Sequence, residues 1–297
     1  MIKLDPPRSN VSAPFLETAE LEDLLIYLKR DQQIDLTGYK RPALKSRILA
    51  RMQRLGVENY RDYRAHFEQQ PKELSYFLDT VFINFTRFFR DRLVWDYLAN
   101  QAIPQIIANK APHESIRVWS VGCASGEETY SLAIVLAEAL GIEQFQQRVR
   151  LFGTDVDPKA VLKARRGYYS AHAVEAIPTA LREKYFECTT DGYLRHSGLR
   201  RSIFFRCHDL IHRPPFLKID LLVCRNTLIY FRQEAQTQAL LRFNFSLRND
   251  GFLLLGQAEN LVTHLQKSLF TPVERQVKIF KKIPNSHRKH NLFPIAF

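Results

Sequence analysis

From Phe15 to about Asn100 the apolar positions recur three and four residues apart, the spacing of a helical face turned toward a core. This recurrence predicts helices over 17–28, 43–55, 57–67, 71–82 and 93–99, punctuated by Gly38 and Gly56, with no strand pattern among them. After Pro112 the rhythm changes to short β-rich runs at 116–121, 149–154, 204–208, 219–223 and 252–256. Helical patterns at 128–140, 158–164 and 233–247 fall between these runs. Strands separated by helices predict an α/β fold, a doubly wound and mainly parallel sheet with helices on both faces. The alternation breaks within 183–206, where β-prone flanks surround Asp191-Gly192, and a small antiparallel insertion with an Asp-Gly turn is expected there. The chain thus reads as a loose leader (1–13), an all-helical domain with its linker (14–100), an α/β domain (101–285) and a flexible tail (286–297). The tail carries His287-Arg288-Lys289-His290.

Composition narrows the classes. At 297 residues the chain can bury a core in each of two modest domains. No apolar run approaches the ~20 residues that span a bilayer, and the first residues lack the apolar stretch of a secretory signal, so a cytoplasmic location is expected. Cys123, Cys188, Cys207 and Cys224 show neither a CxxC pair nor a histidine at ligand spacing; they read as small core residues, and no metal is expected. The formal charge of +12 implies an anionic partner, and nucleic acid, an acidic protein surface and an anionic membrane all satisfy it. In the helical domain Arg47, Arg51 and Arg54 share one predicted helix face as a cationic stripe.

The strongest chemical signal follows the first strand: Gly122-Cys123-Ala124-Ser125-Gly126-Glu127-Glu128, running into a helix. A strand that turns through small residues into a helix brings backbone close to a ligand and offers it free amide groups. The GxGxxG spacing of a dinucleotide site is absent, and Glu127 and Glu128 would repel a pyrophosphate. The same acids suit a cofactor with an ammonium and a sulfonium, as in S-adenosylmethionine. The next strand ends at Asp155, where a carboxylate can hold a ribose diol.

Five blocks together resemble the chemotaxis receptor glutamate methyltransferases, the CheR family. They are Thr37-Gly38-Tyr39-Lys40, Asn84-Phe85-Thr86-Arg87-Phe88-Phe89-Arg90, Gly122 to Ser131, Cys224-Arg225-Asn226-Thr227-Leu228-Ile229-Tyr230-Phe231, and Gly256-Gln257-Ala258-Glu259. The resemblance implies a helical receptor-recognition domain joined to a Rossmann-like methyltransferase domain with a small β-subdomain. It implies S-adenosylmethionine as methyl donor, S-adenosylhomocysteine as product, and glutamate carboxylates of chemotaxis receptors as acceptors. By motif position it assigns Asn84, Thr86, Arg90, Gly122, Glu128, Asp155, Asp209, Leu210, Arg225 and Asn226 to the cofactor. Arg90 and Tyr230 are the expected catalytic pair, and the stripe of Arg47, Arg51 and Arg54 the expected docking face for acidic receptor helices. The short β-insertion implies docking without a receptor's C-terminal tethering peptide. Three departures stand out: Asp209 where the family usually has Asn, Thr129 where it has Pro, and Gln257 where it has His.

Residue by residue, other readings stay open. Glu128 also suits a helix N-terminus as a plain macrodipole partner, and Asn84 and Thr86 could cap a helix beginning near Phe88. Arg225 could be a buried arginine paired structurally with an acid, and Tyr230 an ordinary core tyrosine. A nucleic-acid methyltransferase, or a non-catalytic cofactor-binding scaffold, would share the fold and the charge.

Overall fold

The computed structural model describes residues 13–284, so the predicted tail and all of the predicted leader except Ala13 lie outside the described residues. The chain forms two compact units, Met1–Ile83 and Asn84–Phe297. Residues 84–100, read from sequence as the helical domain's linker, fall in the second unit.

The first unit holds helices Ala13–Asp31, Arg41–Leu55, Tyr60–Gln69 and Glu73–Val81. Leu24, Leu28, Ile48, Met52, Tyr63 and Phe77 are among the side chains buried in its core. The third helix starts three residues later than the apolar spacing predicts. Gly56 ends the preceding helix with a left-handed φ of 69°, Val57 donates its amide back to Met52, and Asn59 then caps the new helix by accepting from the Asp62 amide.

Beneath the second helix, Glu73 is buried and accepts from the Tyr63 hydroxyl (2.8 Å) and from both Arg51 Nε (2.9 Å) and Arg51 Nη2. Burial alone would raise the Glu73 carboxyl, but Arg51 and Tyr63 outweigh it and hold the group below its ordinary value of 4.5. The arginine is itself partly exposed, so Arg51→Ala is expected to destabilise the chain by about 2–3 kcal/mol in urea unfolding, short of the cost of a fully buried pair. A depressed carboxyl stabilises above its unfolded value and loses that contribution as pH falls through the folded value. The wild-type advantage over Arg51→Ala therefore shrinks below about pH 4.5.

In the second unit, helix Arg92–Tyr97 continues through a π turn, Leu98–Ala102, into helix Ile103–Ala108. The predicted helix stops near 99, but the wider turn lets Pro104, which has no amide to donate, sit inside a longer rod.

The strands are β1 (Ile116–Val121), β2 (Val149–Asp155), β3 (Tyr168–Tyr169), β4 (Phe186–Thr189), β5 (Gly192–Arg195), β6 (Ile203–Cys207), β7 (Ile219–Cys224), β8 (Leu247–Leu255), β9 (Phe270–Glu274) and β10 (Ile279–Lys282). Seven form one sheet in the order β6-β2-β1-β7-β8-β10-β9. Its first five strands are parallel, and β10 pairs antiparallel with both β8 and β9. The direction of winding reverses between β1 and β7, so the loops leaving the carboxyl ends of β1, β2, β6 and β7 converge on one edge, the ligand edge of open α/β sheets.

The remaining three strands make a separate antiparallel sheet, β3-β5-β4, the expected insertion. Its turn is Thr190-Asp191 rather than Asp191-Gly192, because Thr189 pairs directly with Gly192. Gly192 is required by close approach: a Cβ there would lie 2.4 Å from the Tyr169 carbonyl oxygen. The cysteine expectation also needs correction, since Cys123 and Cys224 are buried but Cys188, within β4, and Cys207, at the end of β6, are exposed. All four are free thiols.

Candidate active site

The turn after β1 is shaped by left-handed backbone. Gly122 has φ 67°, and a Cβ there would stand 2.1 Å from Thr227 Oγ1, so only glycine lets this turn pack on the loop after β7. Ala124 is also left-handed at φ 45° and donates its amide to Asp155 Oδ2 (2.8 Å). Helix Glu127–Leu140 follows directly. The glycine turn is thereby tied to the end of β2 as well as to the loop after β7.

Asp155 accepts from the Asp157 amide too (3.0 Å), and Asp157 caps helix Pro158–Arg166 through the Lys159 amide (2.8 Å). Burial raises the Asp155 carboxyl, against the Asp157 and Ala124 amides that pull it down. The other Asp157 oxygen takes the Asn84 side-chain amide. Asn84 is therefore no helix cap, and the helix expected near Phe88 begins only at Arg92. Thr86 lies two residues along the same non-helical segment, part-buried.

Glu128, with 12% of its side chain exposed, accepts from Ser120 Oγ (3.1 Å) and Arg225 Nη1 (3.3 Å). Burial raises its carboxyl and the Arg225 charge opposes the rise. Arg225 is 1% exposed, and its Nη2 donates to the Arg90 carbonyl (3.1 Å) and to Asp91 Oδ2 (2.5 Å). The open alternative for Arg225 is thus realised: it is a buried arginine between two acids, placed against the expected site.

Arg90 sits between two left-handed residues, Phe89 (φ 47°) and Asp91 (φ 61°). Such backbone persists in non-glycine residues only where neighbours over-determine it. Here the Phe89 amide donates to Ser131 Oγ, and the Arg90 carbonyl accepts from Trp95 Nε1 (2.7 Å) as well as from Arg225. The Arg90 guanidinium lies 5.7 Å from the Phe85 ring centroid and has no ion-pair partner among the described residues.

The loop after β7 is organised by a residue whose motif was visible but whose task was not. Glu259 is buried, and its carboxylate accepts four backbone amides: Gly256 (2.6 Å), Leu228 (2.7 Å), Thr227 (2.8 Å) and Asn226 (3.0 Å). Asn226 is itself left-handed at φ 57°, and Tyr230 ends the single turn Leu228–Tyr230 that follows, half-buried. On the other side of the sheet's switch point, Asp209 accepts from the Ile211 and His212 amides (2.8 and 3.0 Å), closing the turn after β6 with Leu210 buried inside it. Asp209 also meets His212 Nδ1 at 2.9 Å. The His208 amide donates to the Asp155 carbonyl, joining that turn to the end of β2.

Around one glycine turn the second unit therefore assembles two acids, Glu128 and Asp155, with the Arg90 carbonyl tied in through Arg225; among the described residues the Arg90 guanidinium has no acid partner and the buried Arg225 Nε no hydrogen-bond partner. This donor set fits S-adenosylmethionine: acids for an ammonium and a diol, an arginine for a carboxylate. Arg47, Arg51 and Arg54 lie in the other unit. Arg51 is engaged by Glu73 and Arg47 donates to the Val81 carbonyl, which leaves Arg54 as the exposed member of the expected stripe. Among the described residues no cluster suits a metal ion.

Fold and site together define a methyltransferase dependent on S-adenosylmethionine. The chain belongs to the CheR methyltransferase family: residues 84–279 match the CheR methyltransferase SAM-binding domain and 19–82 its all-alpha domain. It is 34% identical to a chemotaxis protein methyltransferase of Listeria innocua, covering 82% of this chain and 91% of that protein. It is 32% identical to chemotaxis protein methyltransferase 2 of Pseudomonas aeruginosa, covering 80% and 85%. An uncharacterized 104.1 kDa protein of Rhodobacter capsulatus is 35% identical over 83% of this chain, and the chain spans only 26% of that larger protein.

Proposed function

We propose that this chain esterifies glutamate side chains on the cytoplasmic domains of methyl-accepting chemotaxis receptors. The observation that carries the reading is how the pocket acids are held. Glu128 is bound by Ser120 and Arg225, and Asp155 by the Ala124 and Asp157 amides, and the donor's ammonium and diol take up what remains of both, so neither acid, though burial raises its carboxyl, is left to serve an incoming group as a base. A glutamate carboxylate is already ionised at neutral pH and needs no base, whereas a hydroxyl nucleophile does. The names of the Listeria and Pseudomonas relatives point to the same pathway.

S-adenosylmethionine, when bound, supplies a methyl group activated on a sulfonium. Arg90 would hold the carboxylate of the donor's amino-acid end, Glu128 would face its ammonium and Asp155 would hold the ribose diol. Gly122, Asn84, Thr86, Asn226 and the turn at Asp209 and Leu210 complete the enclosure. Tyr230 orients the incoming carboxylate. Exclusion of water and alignment of the reacting groups supply the rate, since positioning alone can contribute up to ~7–11 kcal/mol.

Docking is electrostatic. Arg54, exposed on the second helix, attracts acidic receptor helices. The β-subdomain, with strands of two to four residues, works without a receptor tethering peptide. No helix among the described residues is long and apolar enough to cross a membrane. Arg54→Glu is expected to slow methylation of receptor fragments severalfold at low salt while leaving cofactor affinity unchanged. An unchanged rate across a salt series removes Arg54 from docking.

The substrate itself is tested by incubating the full chain with labelled cofactor and either receptor cytoplasmic fragments or RNA. The expected result is alkali-labile label on protein, mapped by mass spectrometry to glutamates. Base-stable label on RNA alone, or cofactor binding with no transfer to any receptor fragment, overturns the reading.

A further inference from the structure

Three charged side chains meet behind Arg90: Asp91, Arg225 and Glu128. One buried guanidinium is shared by two carboxylates, through Nη2 to Asp91 and through Nη1 to Glu128. With both carboxyls ionised the trio carries a net negative charge, one cation against two anions. Were Asp91 absent, Arg225 would neutralise Glu128 alone, and the pocket would offer an approaching ammonium a balanced pair. Asp91 is also the only one of the three held in left-handed backbone, and from there its carboxylate accepts from Arg225 Nη2 at 2.5 Å.

We infer that Asp91 is a positioning residue that keeps Glu128 electrostatically available to a cationic cofactor by occupying Arg225, and so sets the preference of the site for the ammonium end of its ligand. The inference rests on the assignment of Glu128 to that ammonium. Asp91 needs no contact with the ligand, because its effect is delivered through a buried cation where screening by solvent is weak.

The test compares two ligands that differ in this group. S-adenosylhomocysteine keeps the ammonium and carboxylate of the amino-acid end, whereas 5′-methylthioadenosine lacks both. Calorimetry on the full chain is expected to show Asp91→Asn weakening S-adenosylhomocysteine about fivefold with methylthioadenosine within about twofold of wild type, the signature of a charge effect at one end of the ligand. Asparagine tolerates left-handed backbone, so the variant keeps its turn. Asp91→Gly, which removes the carboxylate and relaxes the backbone, is expected to show the same ligand-selective loss. Unchanged affinity for S-adenosylhomocysteine, or equal losses for both ligands, overturns the inference, the second because it marks a general structural role. Glu128→Gln separates the two levels. If that variant also leaves S-adenosylhomocysteine binding unchanged, the assignment of Glu128 fails; if it weakens binding while both Asp91 variants do not, only the role of Asp91 falls.

Discussion

Replacing Asp155 by alanine is expected to weaken cofactor binding by more than about tenfold, or over ~1.4 kcal/mol. Two losses combine. The carboxylate proposed to hold the diol disappears, and the Ala124 and Asp157 amides lose their acceptor, so the glycine turn keeps only the Cys123 amide bonded to the Thr154 carbonyl (2.9 Å) as its tie to the end of β2. Calorimetry with S-adenosylhomocysteine measures the effect, and circular dichroism checks that the variant is folded. Asp155→Asn should fall between the two, because its carbonyl oxygen can still accept one amide while its NH2 group opposes the other. Native affinity in a folded Asp155→Ala protein takes this residue out of the site.

The largest loss of stability is expected at Glu259. Its carboxylate satisfies four backbone amides in a buried setting, and Glu259→Ala strands all of them at once. A buried donor without a partner costs ~1–3 kcal/mol, and partial re-solvation of the enlarged space reduces the sum, so a loss of about 3–5 kcal/mol is anticipated in urea unfolding. Glu259→Gln keeps one acceptor oxygen and should lose less. Because the same amides shape Asn226 to Leu228, the glutamine variant should also bind cofactor more weakly even where it remains folded. A destabilisation under about 1 kcal/mol for Glu259→Ala would show that the loop finds other acceptors.

The parallel strands were legible because burial on both faces leaves a continuous apolar run, as in Leu221-Leu222-Val223-Cys224, and their predicted ends fall within a residue or two for β1, β2, β6 and β7. Strand β9 was missed because Thr271, Pro272 and Val273 are exposed and carry no alternating signal, and β10 because only Ile279 and Phe280 of its four residues are apolar. The start of β8 at Leu247 was hidden for the same reason, with Arg248, Asn249 and Asp250 interrupting the apolar pattern. Motif spacing singles out the glycine turn as the proposed cofactor loop but does not say which side chain meets which. For Arg225 sequence left cofactor contact and a buried ion pair as equals, and only the placement of Asp91 and Glu128 decides that its guanidinium is shared between acids. The arginine stripe shows the opposite limit: helical periodicity identifies a common face, but not that Glu73 lies under Arg51. Glu259 stood in a quoted block, yet nothing in one dimension reveals that a carboxylate will gather amides from a loop thirty-odd residues upstream.

The boundary between the two units falls after Ile83, upstream of Asn84 and so of every side chain gathered around the glycine turn. If the helical unit docks receptors as proposed, reaction chemistry and partner choice are encoded in separate stretches of gene. On that reading, substitutions in the helical stretch, or whole-segment exchange between paralogues, retarget the enzyme toward new sensors while the residues proposed to grip the methyl donor stay untouched.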